Sequence, residues 1–233
     1  LPKHISDVLP MVKLLLQTLS DGGAAVRFVE FFNSRALVVL NICFIKKPSG
    51  YSLKQIETWF DKISGGVKQV WQVWQVWFQY GREPSTALYP KDLPELKYGL
   101  PEFSIEMPYQ PGDFTQINAD LNAVMISRAL RLLDIQPNDR VADLFCGLGN
   151  FSLPMAKSGA SVTGIEGLDS LVLRAKQNAL RNSCVKYASF EVADLFETDE
   201  QTVASWGVFD KMLLDPPRSG AYAVVKSLHT PYL

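Results

Sequence analysis

Val141-Ala142-Asp143-Leu144-Phe145-Cys146-Gly147-Leu148-Gly149-Asn150 begins as an apolar run around a single carboxylate and ends in a pair of glycines. Val141 to Phe145 has the composition of a strand buried on both faces. The glycines let the backbone turn sharply and approach a ligand closely. Ser152 to Lys157 then reads as a helix. Strand, glycine turn and helix open a parallel βαβ unit. Asp143 falls at the carboxyl end of its strand, the edge where open α/β sheets bind ligands.

The next strand, Ser161 to Glu166, ends in a carboxylate 17 residues after Gly149. A carboxylate at that place can accept hydrogen bonds from a ribose diol. A dinucleotide fingerprint needs a third glycine where this chain has Ser152. A phosphate-binding P-loop needs Gly-Lys-Ser/Thr, which is absent. A ligand with a ribose and no phosphate fits better, and S-adenosylmethionine is such a ligand. A nicotinamide-dependent reductase is disfavoured by Ser152.

Further along, Ser170 to Arg181 reads as a helix, Ala188 to Val192 as a strand with Asp194 expected at its end, Phe209 to Leu214 as a strand and Ala221 to Leu228 as a helix. This alternation implies a parallel sheet wrapped by helices. The fourth strand runs into Asp215-Pro216-Pro217-Arg218-Ser219-Gly220. Two prolines lock an extended bend there, holding Asp215 at the sheet edge beside the glycine loop. Asp215 can then accept a hydrogen bond from the ligand or from a target base.

Upstream, residues 1–20 predict an amphipathic helix with Ile5, Val8, Leu9, Val12, Leu15, Leu16 and Leu19 on one side. Residues 24–32 and 36–45 predict two strands of a hairpin. Ser52 is expected to cap a helix through about Ile63, and residues 70–78 predict a strand whose tryptophans recur every third residue. Trp71, Trp74, Trp77 and Tyr80 could stack on RNA bases, though Val and Trp in a strand usually pack a core. The Pro-rich segment 81–97 reads as a linker. Residues 100–109 predict one or two short strands. Asn118 is expected to cap a helix through about Leu133, with Leu121, Met125, Ala129 and Leu132 inward. The expected fold class is α/β: a small α/β domain over residues 1–97, then a Rossmann-like domain over residues 98–233.

Of 233 residues, 47% are apolar and 20% charged, enough for packed cores and against disorder. No apolar run approaches a membrane span, and the first residues do not form a signal peptide. Three scattered cysteines, Cys43, Cys146 and Cys184, exclude a four-cysteine metal site and fit a reducing, cytoplasmic setting. The two histidines are too few for a histidine-rich metal centre. Residues 1–97 hold 12 Lys/Arg and 8 Asp/Glu, whereas residues 98–233 hold 11 and 16. Such a split suits two parts with different partners. No membrane and no protein partner is indicated.

Taken with Phe114-Thr115-Gln116-Ile117-Asn118, Glu166-Gly167 and the Asp-Pro-Pro-Arg segment, the glycine loop resembles the RNA uracil-5 methyltransferases, closest to the bacterial branch acting on 23S ribosomal RNA. The motif-bearing resemblance covers about residues 98–233. It implies a class I methyltransferase domain, S-adenosyl-L-methionine as cofactor and ribosomal RNA as partner. It implies that Gln116, Phe145, Asn150, Glu166, Asp194 and Asp215 line the cofactor site, Glu166 on the ribose and Asp194 near the adenine, beside Asp143, Gly147 and Gly149 already read from the loop. Asn118 is expected to cap its helix.

Uracil C5 is a weak nucleophile. The family answers this with a cysteine thiolate that adds to C6, and a base that later removes the C5 proton. In the family that cysteine sits in a Ser-Cys-Asn-Pro type motif after the fifth strand. No catalytic nucleophile or base is expected in this chain. Cys146 reads as cofactor contact or packing, Cys43 as core, and Cys184 lies outside the motifs. The resemblance also implies an upstream RNA-binding barrel and, in some relatives, an iron–sulfur cluster that residues 1–97 cannot build. The chain is therefore expected to be an inactive piece of a longer enzyme, its last sheet strands missing and Met212-Leu213-Leu214 an exposed edge. Three other readings stay open. They are a transfer-RNA uracil-5 methyltransferase, an exocyclic-amine nucleic-acid methyltransferase (disfavoured by Arg218 after the prolines) and a non-catalytic S-adenosylmethionine-binding RNA module.

Overall fold

The computed structural model describes residues 2–34, 37–66, 73–81, 83–90, 95–116 and 118–228. They fall into two compact units, Leu1–Leu96 with Gln110–Gly112, and Lys97–Tyr109 with Asp113–Leu233.

The first unit contains α1 (Lys3–Ser6), α2 (Leu9–Asp21), β1 (Val26–Asn33), β2 (Leu37–Phe44), α3 (Gly50–Gly66), β3 (Val73–Tyr80) and β4 (Thr86–Tyr89). Its sheet runs β1-β2-β3-β4, with β2 and β3 parallel and the outer pairs antiparallel. Ile5, Val8, Val12, Leu15 and Leu19 pack with Leu40, Ile42, Ile56, Phe60 and Trp74 in one core. The expected N-terminal helix is two helices. Pro10 offers no N–H and its ring crowds the carbonyl one turn back, so the chain breaks at Asp7-Val8 and Leu9 is left exposed. The cap of α3 is Ser49, not Ser52. The Ser49 hydroxyl accepts the Ser52 N–H at 3.1 Å, and the helix starts at Gly50.

Segment 81–97 is not only a linker. Thr86–Tyr89 is an edge strand on β3, with Leu88 in the core, and Pro84 and Pro90 flank it where no ladder donor is needed. The three-residue tryptophan spacing resolves as a central strand that places Trp74 and Trp77 on opposite faces. Trp74 joins the core with Val76, while Trp77 donates its indole N–H to Gln75 Oε1 at 2.6 Å. Trp71 lies outside the described residues.

The second unit contains β5 (Lys97–Leu100), a single 3-10 turn, β6 (Ile105–Pro108), α4 (Ala119–Leu133), β7 (Arg140–Leu144), α5 (Ser152–Lys157), β8 (Ser161–Glu166), α6 (Asp169–Arg181), β9 (Ala188–Val192), α7 (Glu200–Ser205), β10 (Lys211–Leu214) and α8 (Tyr222–Ser227). β5 and β6 pair as an antiparallel hairpin. The other four strands form a parallel sheet in the order β10-β7-β8-β9. The chain leaves β7 toward β8 and later returns to its other side as β10. That reversal opens a crevice above the carboxyl ends of β7 and β10, the usual ligand position of open α/β sheets.

Asn118 caps α4 through the Leu121 N–H, but the buried face of α4 is Asn122, Ile126 and Leu130. Leu121 and Leu132, expected inward, are 64% and 77% exposed. A polar residue holds the inward position, so counting apolar residues selected the wrong stripe. α7, capped by Asp199 through the Thr202 N–H, is an element the sequence reading passed over.

Candidate functional site

β7 delivers Asp143 and Phe145 to the crevice, and the chain then turns through Gly147 and Gly149. Phe145, Gly147 and Gly149 all have positive φ, at 64°, 56° and 94°. Positive φ suits glycine and strains phenylalanine, and such strain gathers at functional sites. The Phe145 and Cys146 amides both donate to the Ile165 carbonyl, at 2.9 and 3.1 Å, which locks the bend to β8. The Phe145 ring meets the exposed Phe196 edge to face, centroids 5.7 Å apart. A Cβ added at Gly147 would meet no heavy atom within 4 Å, so this side of the loop is open.

Glu166, at the end of β8, is fixed by two backbone amides. Its Oε2 accepts from Gly147 N at 3.1 Å and its Oε1 from Leu168 N at 3.1 Å. Each oxygen keeps a lone pair for a further donor such as a ribose hydroxyl. Asp143 is fully buried beneath the loop. Its Oδ2 accepts the Ser152 hydroxyl at 2.5 Å, while its Oδ1 has no protein partner among the described residues. Burial, aided by the charges of Asp215 and Glu166, raises its carboxyl from 3.8 to about 7 against the pull of Ser152. Ser152, where a third glycine was sought, therefore anchors the carboxylate.

Asp215 lies at the rim after β10, its N–H 3.4 Å from the Leu144 carbonyl, and partial desolvation raises its carboxyl. Asp194 is exposed two residues beyond β9 rather than at its end. Its Oδ1 accepts the Phe196 N–H at 2.8 Å and shapes that turn. Gln116 is half-buried in the segment leading to α4. In that segment, Asp113 pairs with Arg174 of α6 at 2.6 Å. Phe114 is 74% exposed.

Asn150 is already engaged by protein. Its Oδ1 accepts the Tyr98 hydroxyl at 2.8 Å and an Asn122 amide hydrogen at 2.9 Å, and its own amide donates back to Asn122 Oδ1 at 3.0 Å. Tyr98, Asn122 and Phe196 were not foreseen from sequence, and Ser152 was read there only as a missing glycine.

The three cysteines are all buried. Burial raises the Cys43 thiol to about 12 and pushes Cys146 and Cys184 upward as well. All three therefore rest as thiols at neutral pH, which is poor chemistry for nucleophilic attack. Among the described residues no group of acidic, cysteine and histidine side chains could hold a metal ion. None of their helices is long and apolar enough to cross a membrane. The open loop, the Glu166 carboxylate fixed beside it and the orphaned buried oxygen of Asp143 together suit S-adenosylmethionine.

Residues 102–232 match the family described as tRNA (uracil-5-)-methyltransferase. The chain is 56% identical over 233 residues to a 23S rRNA (uracil(1939)-C(5))-methyltransferase RlmD of Neisseria lactamica, covering 100% of this chain and 50% of that protein. It is 55% identical over 236 residues to the protein of the same name from Aromatoleum aromaticum, covering 99% of this chain and 51% of that one. The chain thus spans about half the length of these relatives. The crystal structure of a Pyrococcus abyssi tRNA (uracil-54, C5)-methyltransferase with S-adenosyl-L-homocysteine superposes with a TM-score of 0.61 at 17% identity, over 95% of this chain and 54% of that one. That likeness supports the fold.

Proposed function

Since the chain belongs to the tRNA (uracil-5-)-methyltransferase family, we propose that it forms the S-adenosylmethionine-binding part of an enzyme that methylates uracil C5 in 23S ribosomal RNA. The observation that carries this reading is the Glu166 carboxylate, held by the Gly147 and Leu168 amides at the open side of the glycine loop. The choice of ribosomal RNA rests on the Neisseria and Aromatoleum relatives.

Bound there, S-adenosylmethionine supplies an electrophilic methyl group on a sulfonium centre. Glu166 accepts the ribose hydroxyls. Asp143 Oδ1 takes a donor, direct or through water, and that donor together with the cationic end of the ligand favours the ionised carboxylate. The Phe145–Phe196 pair and Asp194 line the adenine side. Gly147 and Gly149 keep the loop close, Asn150 sets its far end, and Gln116 and Asp215 close the rim toward the target base.

The thiols of Cys43, Cys146 and Cys184 are not assigned as the nucleophile, and the attacking cysteine and the base are assigned to the remainder of the intact enzyme. Residues 1–97 are assigned to RNA contact, which their excess of basic side chains and the exposed Arg27–Phe28 pair support. We place it in the cytoplasm, where ribosomal RNA of bacteria such as those two relatives' sources is modified.

Calorimetric titration of the full chain with S-adenosylhomocysteine tests the cofactor reading. Saturable one-to-one binding that disappears in Glu166→Ala is the expected result. A folded sample that takes up no ligand would overturn it.

A further inference from the structure

A glycine-rich turn is expensive to hold still, because glycine loses the most backbone freedom on ordering. Within the 147–150 loop itself the chain makes one short-range bond, from Gly149 N to the Cys146 carbonyl at 2.9 Å. Gly147 N–H is held by Glu166 and the Gly149 carbonyl by the Leu153 N–H, and three side chains on other elements restrain the rest of the loop.

Tyr98 on β5 donates to Asn150 Oδ1. Asn122 on α4 exchanges two amide hydrogen bonds with the same side chain. Asn178 on α6 donates to the Leu148 carbonyl at 3.1 Å and to the Pro108 carbonyl of β6 at 3.4 Å. Asn122 and Asn178 are 3% and 2% exposed. Asparagine is a poor helix former and a costly residue to bury unless bonded, so an aliphatic residue would serve a purely structural role better. Both asparagines spend their amides on the loop. The hairpin is braced in turn, as Asn182, which caps the C-terminus of α6, pairs with the backbone of Glu106 through 2.9 and 2.8 Å bonds.

We infer that Tyr98, Asn122 and Asn178 are positioning residues: they clasp the glycine loop between the β5–β6 hairpin, α4 and α6, and so pre-form the ligand site before anything binds. The affinity part of this inference rests on the proposed cofactor reading. Burial holds the Tyr98 hydroxyl far above its ordinary range, so it stays a donor across the working pH range. Pre-forming the loop removes an ordering cost that the ligand would otherwise meet.

Tyr98→Phe deletes one oxygen and leaves Asn150 with its Asn122 partner. Loss of S-adenosylhomocysteine affinity by roughly three- to tenfold is expected, the equivalent of one neutral hydrogen bond. Backbone hydrogen exchange at residues 147–150 should speed up in the unliganded variant. The cycle with Asn150→Ala separates positioning from general stability. If Tyr98 acts through Asn150, Tyr98→Phe changes nothing further in that background. Unchanged affinity in Tyr98→Phe, or losses that simply add in the double variant, would overturn the inference. Should the unsubstituted chain bind no S-adenosylhomocysteine, the cofactor reading falls. The exchange rates then decide the clasp alone, and rates equal to those of the unsubstituted chain refute it.

Discussion

Gly147 donates its backbone N–H to Glu166 Oε2 at 3.1 Å, joining the turn after β7 to the end of β8. The bond makes the Glu166 carboxylate, the proposed ribose acceptor, and the glycine loop one object, so a change at Glu166 acts on both. Glu166→Gln keeps the shape and replaces one acceptor oxygen by an amide that faces a backbone donor. A fall in S-adenosylhomocysteine affinity of at least about tenfold is expected, since a charge-assisted acceptor is lost. Calorimetry that returned the same Kd for Glu166→Gln would remove Glu166 from the ligand site.

Gly164 in β8 marks a second close approach. A Cβ there would sit 2.6 Å from Phe190 Cδ1 and 2.9 Å from Cys146 Sγ. Phe190 is buried and also lies against Gly149, so it cannot simply swing away. Gly164→Ala is expected to destabilise the second unit by about 1–3 kcal/mol, the usual result of overpacking. Phe190→Leu in the same chain should return part of that loss. Urea denaturation of both variants checks this, and a Gly164→Ala chain as stable as the parent would contradict the packing.

The sequence made the parallel sheet legible because its strands are short apolar runs spaced by amphipathic helices, and Glu166 and Asp215 fall at the ends of two of them. What escaped it was carried by long-range contacts. Tyr98 and Asn122 meet Asn150 across 52 and 28 residues, and no local pattern encodes such a meeting. Asn122 also displaced the predicted inward stripe of α4, because a satisfied buried amide looks like a surface residue when only apolar positions are counted. The edge strand β4 hid in a Pro-rich stretch for the opposite reason. Its flanking prolines are tolerated where the ladder ends, yet read as breakers in isolation.

Ser152 shows how one position separates two kinds of site. Its hydroxyl is a direct donor to the buried Asp143 carboxylate. Ser152→Ala is expected to lower stability by about 1–2 kcal/mol and to push the Asp143 carboxyl higher still, because a buried acceptor loses a partner. A shift of the urea midpoint in that direction, near neutral pH, is the check. No shift would mean that water replaces the hydroxyl without loss.

Asp143 gives the second unit a pH dependence of definite sign. Burial raises its carboxyl from 3.8 to about 7, so the folded chain holds a proton that the unfolded chain has already released. Between those values the folded state binds more protons, and stability falls as pH rises from about 4 to about 7. Outside that window this group contributes no slope. The full effect is at most ~4 kcal/mol, taken as the shift times the free energy per unit. Asp215, also raised, adds a smaller slope of the same sign. Asp139 and Asp199, lowered by their partners, contribute stability lost only as pH drops below their ordinary range, outside the window. Asp143→Asn removes the largest share while leaving Asp215 in place. Denaturation at about pH 5 and about pH 8 should therefore show the parent losing about 2–3 kcal/mol more than Asp143→Asn, the roughly two pH units of the window that the pair of measurements spans. Equal losses in the two proteins would mean that Asp143 is already ionised at the lower pH, with a partner at Oδ1 even in the absence of ligand.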